Sequence, residues 1–153
     1  MTAAGFSDDI ALETDRQGEW GRFPDDAPER AALMELSREL AIPLRPLRMR
    51  VRTQEGSRVE VDGAASDGSV FVQVSLRRGD FTSQHRNKIM ADMFKLSWLR
   101  TAAAPGARAI LCIGVNAAAA FRPGGWLPRA APDMHIEVWV WDGERIVGLA
   151  SRP

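Results

Sequence analysis

The sequence predicts an α/β protein: a mixed β-sheet flanked by helices on both faces, folded as one domain. Three observations carry that expectation. Two long segments repeat apolar residues at helical spacing and open on capping residues. Several short segments alternate apolar and polar residues, and one runs almost entirely apolar. The elements follow in the order helix, three strands, helix, strand, short helix, strand. At 153 residues, with 45% hydrophobic and 26% charged content, the chain has the length and composition of an ordinary single-core globular domain.

Residues 1–24 hold Gly5, Gly18, Gly21 and Pro24 among many acids, with Trp20 and Phe23 as late anchors. They read as a mobile acidic lead-in to a domain spanning 25–153. "DDAPERAALMELSRELAIP" signals a helix, with Asp26 as cap, Glu29 three residues on, Pro28 in the first turn and Pro43 as the stop. At about 100° per residue, Leu33, Leu36, Ser37 and Leu40 share a face, Glu39 borders it and Glu35 lies outside it. "LRPLRMRVR" alternates Arg48, Arg50 and Arg52 with Met49 and Val51, as a strand with one basic and one apolar face does. "VEVDGAASDGSVFVQVSL" reads as a hairpin. In its second strand Val70, Val72, Val74 and Leu76 face one way, and Phe71, Gln73 and Ser75 the other.

Ser83 is placed to cap the helix "QHRNKIMADMFKLSWLRTAA", which carries Ile89, Met93 and Leu96 on its core stripe and Gln84, Lys88 and Lys95 on a neighbouring one. "ARAILCIGV" is a buried central strand by its continuous apolar character. "AAAAFRPGGWLPRAAP" reads as a helical turn, a glycine break and a short helix. "MHIEVWVWDG" reads as a strand, and "ERIVGLASRP" as a short final strand or an irregular end.

Net charge is zero, yet it is unevenly spread. Residues 1–40 hold ten acids and four basic residues, whereas residues 41–100 hold eleven basic residues and six acids. A basic middle suits a polyanion partner, and equally a solvated surface. The lone Cys112 lies mid-strand and excludes an intrachain disulfide. No apolar run approaches the roughly 20 residues that span a bilayer, and the N-terminus lacks the pattern of a secretory signal. The expectation is a cytoplasmic protein with no membrane association.

From "VEVDG", "VFVQVSL" and "QHRNK", set between a leading helix and an apolar strand, the chain resembles the PD-(D/E)XK, restriction-endonuclease-like nuclease superfamily over roughly residues 27–142. The resemblance implies a restriction-endonuclease-like sheet and a site in which carboxylates hold Mg2+ to polarise a phosphodiester and activate water. Asp62 matches the first metal-binding aspartate. Gln73 stands where the second acid is expected and Ser75 where the lysine is expected. Gln84 and Lys88 match polar residues of the following helix, and Glu39 or Glu60 are candidates to complete a metal set with Asp62.

Replacing an acid by Gln73 removes a unit of negative charge, so Mg2+ binding is expected to be weak or lost. Ser75 supplies no positive charge. The resemblance therefore implies a nuclease-like protein with an eroded site, catalytically weak or inactive, that binds nucleic acid, DNA or RNA, or a protein partner. Arg48, Arg50, Arg52, Arg77, Arg86 and Lys95 are its candidate nucleic-acid contacts. Two alternatives stand beside it: an active magnesium-dependent endonuclease using Lys88 as a migrated lysine, and an interaction subunit that retains only the fold. The local readings are plainer. Asp62-Gly63 alone suits a turn, Lys88 and Asp92 suit a surface i,i+4 pair, and the arginine strand suits a charge-guarded sheet edge.

Overall fold

The computed structural model describes residues 5–13, 19–51 and 56–149. Seven strands form one sheet in strict chain order: β1 (Ile10–Glu13), β2 (Arg45–Val51), β3 (Ser57–Ala64), β4 (Val70–Ser75), β5 (Arg108–Gly114), β6 (Ile136–Trp141) and β7 (Ile146–Gly148). Neighbours among the first four are antiparallel, β4, β5 and β6 run parallel, and β7 returns antiparallel. Helix α1 (Pro28–Leu40) precedes β2. Helix α2 (Ser83–Ala102) links β4 to β5, and a 3₁₀ helix (Val115–Phe121) followed by α3 (Leu127–Asp133) links β5 to β6.

Both parallel crossovers step across the sheet in one direction, so the usual handedness places their helices on one face. There Ile89, Met93, Leu96 and Leu99 of α2 meet Phe71, Leu111, Ile113 and Val138. On the other face Leu33 and Leu36 of α1 cover Val70, Val72, Val74, Ile110 and Cys112. Residues of alternating parity along β4 and β5 thus feed two different cores, which is why β5 reads as continuously apolar. Among the described residues no helix is long and apolar enough to cross a membrane.

Several local expectations need correction. Residues 10–13, assigned to a mobile lead-in, form edge strand β1 paired with β2. Asp26 does not cap α1. A turn closed by the Ala27 N–H on the Pro24 carbonyl shifts the helix start, leaving Ala27 at the cap with no side-chain bond. The α2 cap is Thr82, whose hydroxyl accepts the His85 N–H at 3.2 Å, rather than Ser83. Asp62-Gly63 is not a turn. Between the pairs Arg45–Ala64 and Leu47–Val61, Asp62 and Gly63 of β3 stand opposite the single residue Pro46 of β2, so a bulge falls there and the strand continues to Ala64. Glycine at 63 permits a close approach, because a Cβ would stand 2.5 Å from a methyl of Leu33 on α1.

Candidate functional site

Strands β3 and β4 share backbone pairing only at Gly63–Val72 and Ala64–Phe71, although both run further. Beyond that point two side chains take over from the ladder. The Asp62 carboxylate accepts the Val74 N–H at 2.8 Å, and the Gln73 amide oxygen accepts the Asp62 N–H at 3.0 Å. The chain satisfies two backbone donors that the splayed hairpin would otherwise bury without partners.

Gln73 extends the network towards α2. Its amide nitrogen donates to Asp92 Oδ1 at 3.1 Å, and Lys88 Nζ donates to Asp92 Oδ2 at 2.8 Å. Asp92 is only 7% exposed, so the Lys88–Asp92 pair is a bridge into the hairpin rather than an ordinary surface pair. Arg22, from the segment before α1, ion-pairs with the other oxygen of Asp62. That segment is anchored by Trp20, whose ring lies 4.8 Å from the Arg30 guanidinium and 4.3 Å from that of Arg45. Asp62 is 3% exposed. Desolvation raises its pKa above the usual 3.8, with Asp92 adding to the rise, against the Val74 N–H, Arg22 and Lys88, which favour the carboxylate.

Two further polar residues lie buried at this end of β4. Ser75 is 1% exposed and its hydroxyl has no hydrogen-bond partner. His85 is fully buried on the first turns of α2, packed on the Phe81 ring at 5.1 Å, and neither ring nitrogen reaches hydrogen-bonding geometry. Its pKa is pushed down by desolvation, partly countered by the nearby Ser75 carbonyl, and lowered further by the positive charges of Arg77 and Lys88.

Of the residues singled out from the sequence, Asp62, Gln73 and Lys88 come together in one network, and Ser75 stands at its edge. Gln84 is exposed on the first turn of α2. Glu39 is exposed on α1, and Glu60 turns to Arg48 at 3.7 Å. The proposed metal set of Asp62, Glu39 and Glu60 does not assemble: among the described residues no three His, Cys, Asp or Glu side chains group to hold a metal. Both Asp62 oxygens already face protein donors, so this donor set does not fit Mg2+.

The basic strand is also largely neutralised, since Arg45 pairs with Glu19, Arg48 with Glu60, and Arg50 with Glu13. Lys95 is turned to the Glu60 carbonyl, and Arg52 lies outside the described residues. Arg77 and Arg86 are exposed and form no ion pair among the described residues, as does Arg78 beside them. Sequence reasoning missed Arg22, His85 and Asp92 as site residues. The i,i+7 spacing of His85 and Asp92 on one face of α2 was the available signal, because it places both against β4.

At the carboxyl end of β4 a cleft of about 340 Å3 opens between the segment before α1 and the start of α2, lined by Arg22, Phe23, Ala27, Ser75, Arg77 and Lys88 among others. A second groove of about 270 Å3, between α3 and β6, is lined mainly by apolar residues such as Phe121, Pro132 and Trp139 and lies away from the polar network. No family model, curated protein or solved structure matches this chain.

Proposed function

We propose that this chain is a nuclease-like protein with a restriction-endonuclease-like core, catalytically weak or inactive, that binds nucleic acid along the basic rim around Arg77, Arg78, Arg86 and Lys88. The observation that carries this reading is the network at the parted hairpin. Asp62, Gln73 and Asp92 are buried together where α2 meets the hairpin, with Lys88 of α2 reaching in from the surface, yet each carboxylate oxygen of Asp62 and Asp92 is bonded to a protein donor. The element order also supports it: a helix, three antiparallel strands, a helix, and a strand parallel to the third.

In this reading the residues that would serve metal chemistry hold the hairpin open instead. Gln73 is chemically suited to that task because it donates and accepts at once, whereas a glutamate would only accept. The test is fluorescence anisotropy with a short DNA duplex over a salt series, alongside a cleavage assay in Mg2+. Binding should weaken as salt rises, and Arg77→Ala with Arg86→Ala should reduce the logarithmic salt slope by about 2. No cleavage should be seen. Absence of binding at low salt overturns the nucleic-acid reading, and cleavage abolished by Asp62→Ala overturns the inactive one.

A further inference from the structure

Helix α2 packs one side against β4 and β5, with His85, Ile89, Asp92, Leu96 and Leu99 buried there. Its opposite side is apolar at the centre and free of charge. At about 100° per residue, Ser83, Asn87, Met90, Phe94, Trp98 and Thr101 lie within about 50° of one outward line, and none of them is charged. The nearest charged side chains on the helix, Arg86 and Lys95, stand about 80° and 100° from that line, and Lys95 is turned to the Glu60 carbonyl. Phe94 is 72% exposed and Trp98 38%, with Met90 half-buried beside them. The outward face of a surface helix normally carries charged residues. On α1 that rule holds, since the exposed Met34 is flanked within the same angle by Arg30 and Arg38.

The stripe is complementary to its own reverse. Met90 lies four positions before Phe94 and Trp98 four after it, while Asn87 lies seven before and Thr101 seven after. Laid antiparallel on a second α2 about a two-fold axis at Phe94, the stripe sets Phe94 on Phe94, Met90 on Trp98 and Asn87 on Thr101. These are an aromatic pair, a thioether on an aromatic ring and an amide beside a hydroxyl, each a favourable contact. A two-fold contact places residues near the axis against their own copies, so a charge there would meet a like charge. A face uncharged along the whole of α2 meets that condition, whereas a partner chosen by opposite charge would favour a charged face.

We propose that α2 is the contact between two copies of this chain, in a weak, reversible dimer whose two-fold axis passes at Phe94. The area fits weak association. At roughly 150–250 Å2 for a whole aromatic side chain, the exposed parts of Phe94 and Trp98 offer about 200 Å2. A helix face about 30 Å long and 10 Å wide presents roughly 300 Å2, below the about 800 Å2 that each partner gives to a standard interface. Arg86, eight positions from Phe94, stands about 24 Å along the helix from its copy, so the basic rims of the two chains stay apart and open. The proposal holds whether or not the chain binds nucleic acid.

Sedimentation equilibrium of the full chain from about 10 µM to about 1 mM tests it, a range that brackets weak association. The native chain should pass from monomer towards dimer. Each dimer carries a substitution twice, so Phe94→Lys should weaken association about a hundredfold or more, while Met34→Lys on α1 should leave it unchanged. Phe94 is exposed and lysine is a good helix former, so the variant should fold. The two-fold geometry has its own readout: an equimolar mixture of Phe94→Lys and Phe94→Glu should associate at least about tenfold more tightly than either variant alone, because only the mixed pair sets opposite charges across the axis. A chain that stays monomeric throughout the range overturns the proposal and leaves the stripe to a different partner. Dimerisation unaffected by Phe94→Lys places the contact elsewhere, and a mixture no tighter than its components removes the axis from Phe94; either result also overturns it.

Discussion

Replacing Asp62 with asparagine and with alanine separates the two roles this carboxylate plays. Both substitutions remove the buried charge, but asparagine keeps an oxygen for the Val74 N–H and alanine does not. The alanine variant leaves that N–H buried in the parted hairpin, which costs about 1–3 kcal/mol. For a domain of this size each kcal/mol moves Tm by about 2–4 °C, so alanine should melt roughly 2–12 °C below asparagine. Thermal denaturation followed by circular dichroism reads the difference directly.

Comparison of asparagine with the native chain isolates the charge. Desolvation raises the folded-state pKa of Asp62 above 3.8, so the folded state holds its proton more tightly than the unfolded state does. Native stability from this group is therefore highest at acid pH and falls as pH rises from about 4 through the folded pKa. The asparagine variant has no such loss, and its stability relative to the native chain should improve over that window and then level off. Equal melting of the alanine and asparagine variants would refute the backbone-supporting role. A native-to-asparagine gap that does not change with pH would refute the raised pKa.

Two other perturbations test neighbouring parts of the argument. Gln73→Glu sets a second carboxylate against Asp92 Oδ1, now a 3.1 Å contact, and should destabilise the fold by about 3 kcal/mol at pH 8 in urea titrations. Like charges at that distance push one carboxyl pKa up, so the loss should shrink as pH falls towards 5; a pH-independent loss would contradict it. The Cys112 thiol, pushed up to about 12 by burial between β5 and α1, should resist an aromatic disulfide reagent at pH 8 until the protein is denatured. Rapid labelling of the folded chain would place Cys112 outside the core.

Much of the fold was legible because the signals are local. Helical spacing in 28–40 and 83–102 and strand alternation in 45–51 and 70–75 depend only on residues a few positions apart. The apolar continuity of 108–114 likewise announced a strand covered on both faces, as β5 is. Strand β1 was not legible, since four residues in an acidic, glycine-rich segment become a strand only by pairing with β2.

The sequence by itself determined which segments are helices and strands, which faces are apolar, and that Asp62, Gln73, Ser75 and Lys88 deserved notice. Tertiary structure alone decided what those residues do. Asp62 and Gln73 became substitutes for ladder hydrogen bonds because a bulge and the approach of α1 over Gly63 part the hairpin at that position. Asp92 became a buried bridge because α2 lies across β4, and Arg22 reached Asp62 because Trp20 pins its segment between Arg30 and Arg45. Hydrogen bonds and ion pairs between distant residues follow the distances the fold creates, and local periodicity carries no record of them.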